Sequence, residues 1–279
     1  CGNIVPVIGL DMAASWGCFD LEKQEFLYKA LEKAGVDISY LPEVKKGHCL
    51  IGKTGDGVPV MGSIGDNQAS LFGSVRDLQN TVLLNVGTGS QISFVTEDFV
   101  KCGGSVELRP CTESSYILVG ASLCGGRAYA MLEQFYREAA GTEERMYSRM
   151  QEQAEDFIEK YGKEAAWKVD TAFSGTRSDP LRRGMITEIG VENFHPGALT
   201  VGVISGILGE LHGQYEQMCQ LTGKKATCLV GSGNGIRRNP LMRKLAEEMF
   251  GMPMDVPAYE EEAAYGAALS AGKTVAKLQ

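Results

Sequence analysis

Three short segments of the sequence combine reactive side chains with glycines that let a ligand come close. In Gly65-Asp66-Asn67-Gln68 a carboxylate follows an apolar run, with glycine before it and two amides after it. Such an aspartate can accept a hydroxyl proton while a phosphoryl group transfers to that oxygen, and the amides can bind neighbouring hydroxyls. The plainer alternative is an aspartate capping the helix that starts near Gln68. In Gly87-Thr88-Gly89-Ser90 backbone N–H groups and two hydroxyls share a tight turn, a cradle suited to the β- and γ-phosphates of a nucleotide. A hairpin that merely needs glycine would read the same way. Gly231-Ser232-Gly233-Asn234-Gly235 follows an apolar run and precedes a helix, which suits an adenine or ribose contact. Its spacing is neither G-x-G-x-x-G nor G-x-x-x-x-G-K-[ST], so P-loop chemistry is not expected of it. Each segment alone is ambiguous, and the three in this order much less so.

As an ordered set they resemble the FGGY carbohydrate kinases. In that family a G-D-x-Q segment supplies the catalytic base, matched by Gly65 to Gln68, and an N-x-G-T-G hairpin binds ATP phosphates, matched by Asn85 to Gly89. Gly120 to Gly126 is similar to the small-residue segment that enters the next nucleotide-contacting helix. Gly231 to Ala246 resembles the adenine loop with its N-P-L-x-x-x-x-A helix, and Glu262 to Ala268 the family's E-x-x-A-x-G-A-A ending. The resemblance spans essentially the whole chain. It implies an α/β, actin/hexokinase-like (ribonuclease H-like) fold and ATP with Mg²⁺ as phosphoryl donor. It also implies Asp66 as catalytic base, with Asp66 and Asn67 on the sugar. Gly87, Thr88, Gly89, Gly126, Gly231, Ser232, Gly233, Asn234 and Asn239 would contact ATP, and no residue is assigned as a metal ligand.

Asp11 to Asp20 and Leu41-Pro42-Glu43 are similar to the branch of the family that phosphorylates the ketose sedoheptulose; xylulose or glycerol kinases are the alternatives within it. Two departures stand out. Ile236 to Arg238 are extra residues in the adenine loop, and nothing before Asp66 matches the family's opening D-x-G-T hairpin. Residues 1–75 are therefore expected to be the remnant of a first, sugar-binding domain, and 76–279 a complete ATP-binding second domain. On that expectation the chain alone is inactive. The rival from another class is a catalytically silent module that binds nucleotide or a partner. A different actin-like ATPase fits less well, because amides after Asp66 suit sugar better than water.

The elements that position these residues alternate between strand-like and helix-like runs, which favours α/β. Val58 to Ile64 reads as a short buried strand entering Gly65-Asp66. Thr81 to Val86 and Gln91 to Thr96 flank the glycine turn as a hairpin, and Ser115 to Val119 and Thr227 to Val230 are further strands. Apolar stripes predict helices through Ala128, Met131, Leu132 and Phe135, and through Met146, Met150, Ala154, Phe157 and Tyr161. Ile204, Ile207, Leu208, Leu211, Tyr215 and Met218 share one face of a helix over 199–221. Gly202, Gly206, Gly209 and Gly213 weaken that helix, which makes sense where another backbone or a ligand approaches. Asn239 and Pro240 predict a helix start and Gly251 its end. The last helix is expected over 261–273, opening on Glu260-Glu261-Glu262 as an ordinary acidic first turn. A polar stretch over 74–81 marks the one boundary.

Composition excludes several classes. A hydrophobic share of 44% and a charged share of 22% are those of a globular protein, and a net charge of −8 opposes non-specific nucleic-acid binding. No run reaches the roughly 20 apolar residues of a membrane helix, and no signal peptide is visible, so a cytoplasmic location is expected. The chain opens on Cys1 without methionine, as a processed product or fragment would. The eight cysteines contain no C-x-x-C pair, and only His48, His195 and His212 accompany them, which argues for free thiols rather than zinc. Cys228, inside an apolar run, is expected to pack. The partners expected are a sugar and ATP, with no nucleic acid or membrane and a homodimer left open. Trp16 reads as a core or hinge aromatic before a sugar-stacking one. Arg177 reads equally as a cleft residue or a loop-ordering ion pair. His195 and His212 read as packing residues, and the acidic face over 143–164 as solvated.

Overall fold

The structure is a computed structural model that describes residues 5–47 and 49–278, with side chains to residue 273. Cys1 and His48 lie outside the described residues, and with them what the sequence led us to expect at those two positions.

The N-terminal part is built from short elements: β1 (Val7–Gly9), α1 (Leu10–Ser15), the hairpin β2 (Phe19–Asp20) and β3 (Glu25–Phe26), α2 (Tyr28–Lys33) and β4 (Glu43–Lys45). β1 and β4 pair in parallel over a small core of Ile8, Ala13 and Phe26. Trp16 is 58% exposed at the end of α1, with its ring 6.0 Å from that of Phe26, so it is not a core aromatic. A second hairpin, β5 (Leu50–Lys53) and β6 (Pro59–Met61), leads into α3 (Asp66–Ser74). The expected strand before Asp66 is thus shorter and only half-buried, because β6 has a single partner strand and Val58 faces solvent.

The main sheet draws on β7 (Thr81–Val86), β8 (Ser90–Thr96), β9 (Val106–Thr112) and β10 (Ser115–Ser122). Then follow α4 (Gly126–Ala140), α5 (Tyr147–Tyr161), the hairpin β11 (Lys168–Asp170) and β12 (Met185–Thr187), and α6 (Pro196–Thr222). The chain closes with β13 (Cys228–Ser232), α7 (Gly233–Arg238), α8 (Pro240–Phe250), β14 (Met254–Asp255) and α9 (Glu262–Leu278). The six strands run in the order β14-β13-β7-β8-β10-β9, parallel from β14 to β7 and antiparallel beyond.

Both faces of this sheet are covered, so its central strands are apolar on alternate sides and nearly continuous in hydrophobicity. Val82, Leu84 and Val86 of β7, with Ile92 and Phe94 of β8, join the core of Ile204, Ile207, Leu208 and Leu211 from α6. Leu83, Val95, Ile117, Val119 and Val230 form a second core with Leu71 and Val75, from the end of α3. α3 therefore lies on the opposite face from α6.

Two glycines of α6 do what their cost suggested: a Cβ on Gly202 or Gly206 would overlap the carbonyl of Trp167 or Val169, which run alongside. Gly209 and Gly213 meet nothing, so backbone approach does not explain them. On α4 the expected stripe is half right. Ala128 and Leu132 are buried, whereas Met131 and Phe135 are exposed. The helix is rotated because Glu133 turns inward, where it accepts the Met146 N–H at 3.0 Å and pairs with Arg137 and Arg145. Burial opposes the charge on Glu133, but these donors outweigh it and hold its carboxyl below the usual range. Cys228, expected to pack, is exposed at the edge where β13 begins.

α9 crosses α3 at near-contact of backbones. A Cβ on Gly73 would overlap the Glu262 carbonyl, and one on Gly266 would overlap the Ala69 carbonyl. The small residues of the 262–268 segment thus serve helix packing. Among the described residues no helix is long and apolar enough to cross a membrane.

Candidate active site

The glycine turn between β7 and β8 is held from two sides. The first amides of α4 bond to it, Gly126 N–H to the Gly87 carbonyl at 2.9 Å and Arg127 N–H to the Thr88 carbonyl at 3.0 Å. This leaves no room for a side chain at position 126, where a Cβ would overlap the Gly87 oxygen. On the other side Gly233, at φ 81°, brings α7 so close that a Cβ there would lie 2.6 Å from the Val86 carbonyl. Asn85 Nδ2 donates to the fully buried Ser232 Oγ at 2.7 Å and ties β7 to β13 at the mouth of both loops.

Between these loops lies a cavity of about 610 Å³. Gly87, Thr88, Gly126, Asn234 and Asn239 line it, so five residues from three separate segments meet at one place. Gly89, Gly231, Ser232 and Gly233 lie outside the lining. A Cβ on Gly89 would sit 3.0 Å from the Ser122 carbonyl, Gly231 packs on Met254 and Ile236, and Ser232 and Gly233 make the joints just described. Asn239 caps α8 through its Oδ1, which accepts the Met242 N–H at 2.9 Å. Its Nδ2 is buried beside the Tyr129 hydroxyl without an acceptor at hydrogen-bonding geometry. Burial pushes the Tyr129 phenol up to about 12, so it stays a neutral donor.

Sequence reasoning missed the rest of the lining. Tyr129 and Tyr147 stack with ring centroids 5.8 Å apart, and Arg127 and Arg238 reach the same space. Neither arginine is paired with a carboxylate among the described residues, and no acidic side chain lines the cavity. Each follows a glycine-rich segment closely in sequence, and that placement was the available signal.

Asp66 lies elsewhere. It is the exposed first residue of α3, whose far end packs on the other face of the sheet, and its Oδ1 accepts the Asn67 N–H at 2.7 Å. The residue before it is pinned by a carboxylate far back in the sequence, since Asp11 Oδ2 accepts the Gly65 N–H at 2.6 Å. Gln68, two residues on, is buried and donates to the Pro110 carbonyl at 2.7 Å. Asn67 Nδ2 is buried and finds no partner. The carboxylate is thus presented on a braced helix start and satisfies only one local amide.

Other singled-out residues have plain structural partners. Arg177 pairs with Glu107 at 2.7 Å, the loop-ordering alternative. His195 Nδ1 accepts the Gly197 N–H at 2.9 Å as the cap of α6. His212 packs edge-on against Phe250. Gly47 to Thr54 spells G-x-x-x-x-G-K-T, the sequence pattern of a phosphate loop. It is no such loop: Gly52 and Lys53 lie in β5, no helix follows, and the Thr54 hydroxyl accepts the Val58 N–H at 3.0 Å.

Comparison with known proteins follows the same lines. A profile described as the C-terminal domain of the FGGY family of carbohydrate kinases matches residues 83–275. Mouse sedoheptulokinase is 28% identical over 288 aligned positions, covering 96% of this chain and 59% of that protein. Glycerol kinase of Vibrio campbellii is 27% identical over 263 positions, covering 88% of the chain and 50% of that protein. Among solved structures, a ligand-bound xylulose kinase from Lactobacillus acidophilus superposes with a TM-score of 0.83 at 17% identity, over 97% of this chain and 56% of that one. Plasmodium falciparum glycerol kinase with ADP gives 0.81 at 19% identity, over 96% and 55%. The chain spans between half and three-fifths of the length of these relatives. Its fold is the actin/hexokinase-like α/β fold expected from the motifs. With the profile covering well over half of its residues, the chain belongs to the FGGY family of carbohydrate kinases.

Proposed function

We propose that this chain carries the nucleotide site and the catalytic carboxylate of an ATP-dependent kinase that phosphorylates a ketose, sedoheptulose first. The observation that carries the proposal is the cavity between the Gly87–Gly89 turn and Asn239. In a protein of net charge −8 it presents two unpaired arginines, the start of a 15-residue helix and no carboxylate. Such a site favours a polyanion. ATP fits it: phosphates at Gly87, Thr88 and Gly89 within reach of Arg127 and Arg238, adenosine toward Asn234 and Asn239, with Gly231, Ser232 and Gly233 shaping the loop.

Asp66 would accept the proton of the sugar hydroxyl and Asn67 would bind a neighbouring one. Asp66 does not line the cavity, so transfer would need closure of the two parts on the substrates, which also excludes water. Mg²⁺, which neutralises charge on the transferring phosphates, would arrive on the donor. Among the described residues no cluster of three His, Cys, Asp or Glu side chains is placed to hold it. Residues 1–75 would be the end of a sugar-binding domain and 76–279 the ATP-binding one, with α3 as the joint packed on the second. The identities to sedoheptulokinase support the choice of sugar, and those to glycerol kinase keep polyols as the comparison.

The test is an ADP-release assay with sedoheptulose, xylulose and glycerol, on a full-length protein containing this chain and on the chain alone. Turnover is expected on sedoheptulose for the former and none for the latter, if part of the phosphate clamp comes from outside this chain. Ordinary turnover by the isolated chain would show that 1–75 is not a remnant. ADP binding without turnover on any sugar by the longer protein would favour the silent module. Thr88→Val is expected to weaken ADP binding roughly tenfold, the loss of one hydrogen bond to a charged group. The melting temperature should barely move, since volume is conserved; a large drop with ADP affinity unchanged would make Thr88 structural.

A further inference from the structure

We infer that Arg237 and Glu262 are positioning residues that hold the Asp66 helix in register with the nucleotide loop; the functional meaning of that link rests on reading the cavity as the nucleotide site. Arg238 lines the cavity, but its neighbour Arg237 turns away from it. The Arg237 guanidinium donates to Glu262 Oε1 at 2.7 Å, to the Pro257 carbonyl at 2.8 Å and to the Tyr259 carbonyl at 2.5 Å. Both side chains are largely buried, at 16% and 10% exposure.

Glu262 is the first residue of α9, and its own carbonyl is the atom against which Gly73 of α3 packs. One turn later Gly266 rests on the Ala69 carbonyl. The path from cavity wall to the helix opened by Asp66 is therefore three residues long: Arg237, Glu262, Gly73. A forked guanidinium with three fixed acceptors defines direction as well as distance. Its removal leaves a buried carboxylate uncompensated, and the backbone contact at Gly73 tolerates no shift because no side chain cushions it.

The test is hydrogen exchange on this chain with and without ADP, for the native sequence, Arg237→Gln, Glu262→Gln and the milder Arg237→Lys. Without ligand, amides of α3 and the first turn of α9 are expected to exchange roughly tenfold faster in either glutamine variant. Those of β7 and β8 should be unchanged, and Arg237→Lys should fall between. With ADP, the native chain is expected to slow exchange in both the 233–239 loop and α3. In the variants the loop should still be slowed and α3 should not. A merely structural pair would not separate the two. Unchanged α3 exchange in the variants overturns the inference, as does ADP that protects the native loop but not α3. If ADP protects nothing in the native chain, the nucleotide reading fails. The pair is then judged on ligand-free exchange alone, where equal α3 rates in native and Arg237→Lys chains refute it.

Discussion

In a full-length protein containing this chain, Asp66→Asn is expected to lower kcat by roughly 10²–10⁴-fold, the span removed with a positioned general base. ATP affinity should be unchanged, because the carboxylate is not among the residues that line the cavity. The substitution is nearly isosteric, and the amide oxygen can still accept the Asn67 N–H that the carboxylate accepts at 2.7 Å. Folding should therefore be spared while the proton acceptor is lost. Steady-state kinetics with sugar and ATP varied separately make the distinction. A variant that turns over at the native rate would reduce Asp66 to a helix-start residue and move the base elsewhere.

Gly266→Val is expected to cost roughly 3 kcal/mol or more of stability, at the upper end for overpacking, because the contact is with backbone and cannot be relieved by a rotamer. The added atoms would overlap the Ala69 carbonyl, force α3 away from α9, and open the core of Leu71, Val75 and Ile117 beneath it. Gly209→Ala in α6 is the matched control, since nothing lies near that position. It is expected to be neutral or to stabilise by about 0.5–1 kcal/mol through helix propensity. Urea denaturation of both variants measures the difference. Equal midpoints would show that the α3–α9 crossing is not tight.

What could be read from the sequence was mostly what is local. The turn at Gly87–Gly89, the cap at Asn239 and the buried face of α6 are written in neighbouring residues or in one helical period, and the structure has each in place. Errors arose where a distant residue decides orientation. Met131 and Phe135 share the spacing of a buried stripe, but Glu133 is drawn inward by Met146 and Arg145 and turns them to solvent. Glu262 reads as one of three acidic residues in a first turn, and only Arg237, 25 positions earlier, shows why it is buried. Asp11 pins Gly65 across 54 positions, and Tyr129 meets Tyr147 from another helix; no periodicity within either segment encodes such pairs. Cys228 fails for a related reason, since an apolar run does not say which of its residues lies at the sheet's exposed end.

The most direct measurement is a crystal structure of this chain grown with ADP. The expected result places the phosphates at the Gly87–Gly89 turn and the start of α4, and the adenosine between Tyr129 and the 234–239 loop. ADP bound in the groove between α5 and α8 around Ile158 and Lys244, or the 610 Å³ cavity left empty at saturating ADP, would contradict the assignment of that cavity as the nucleotide site.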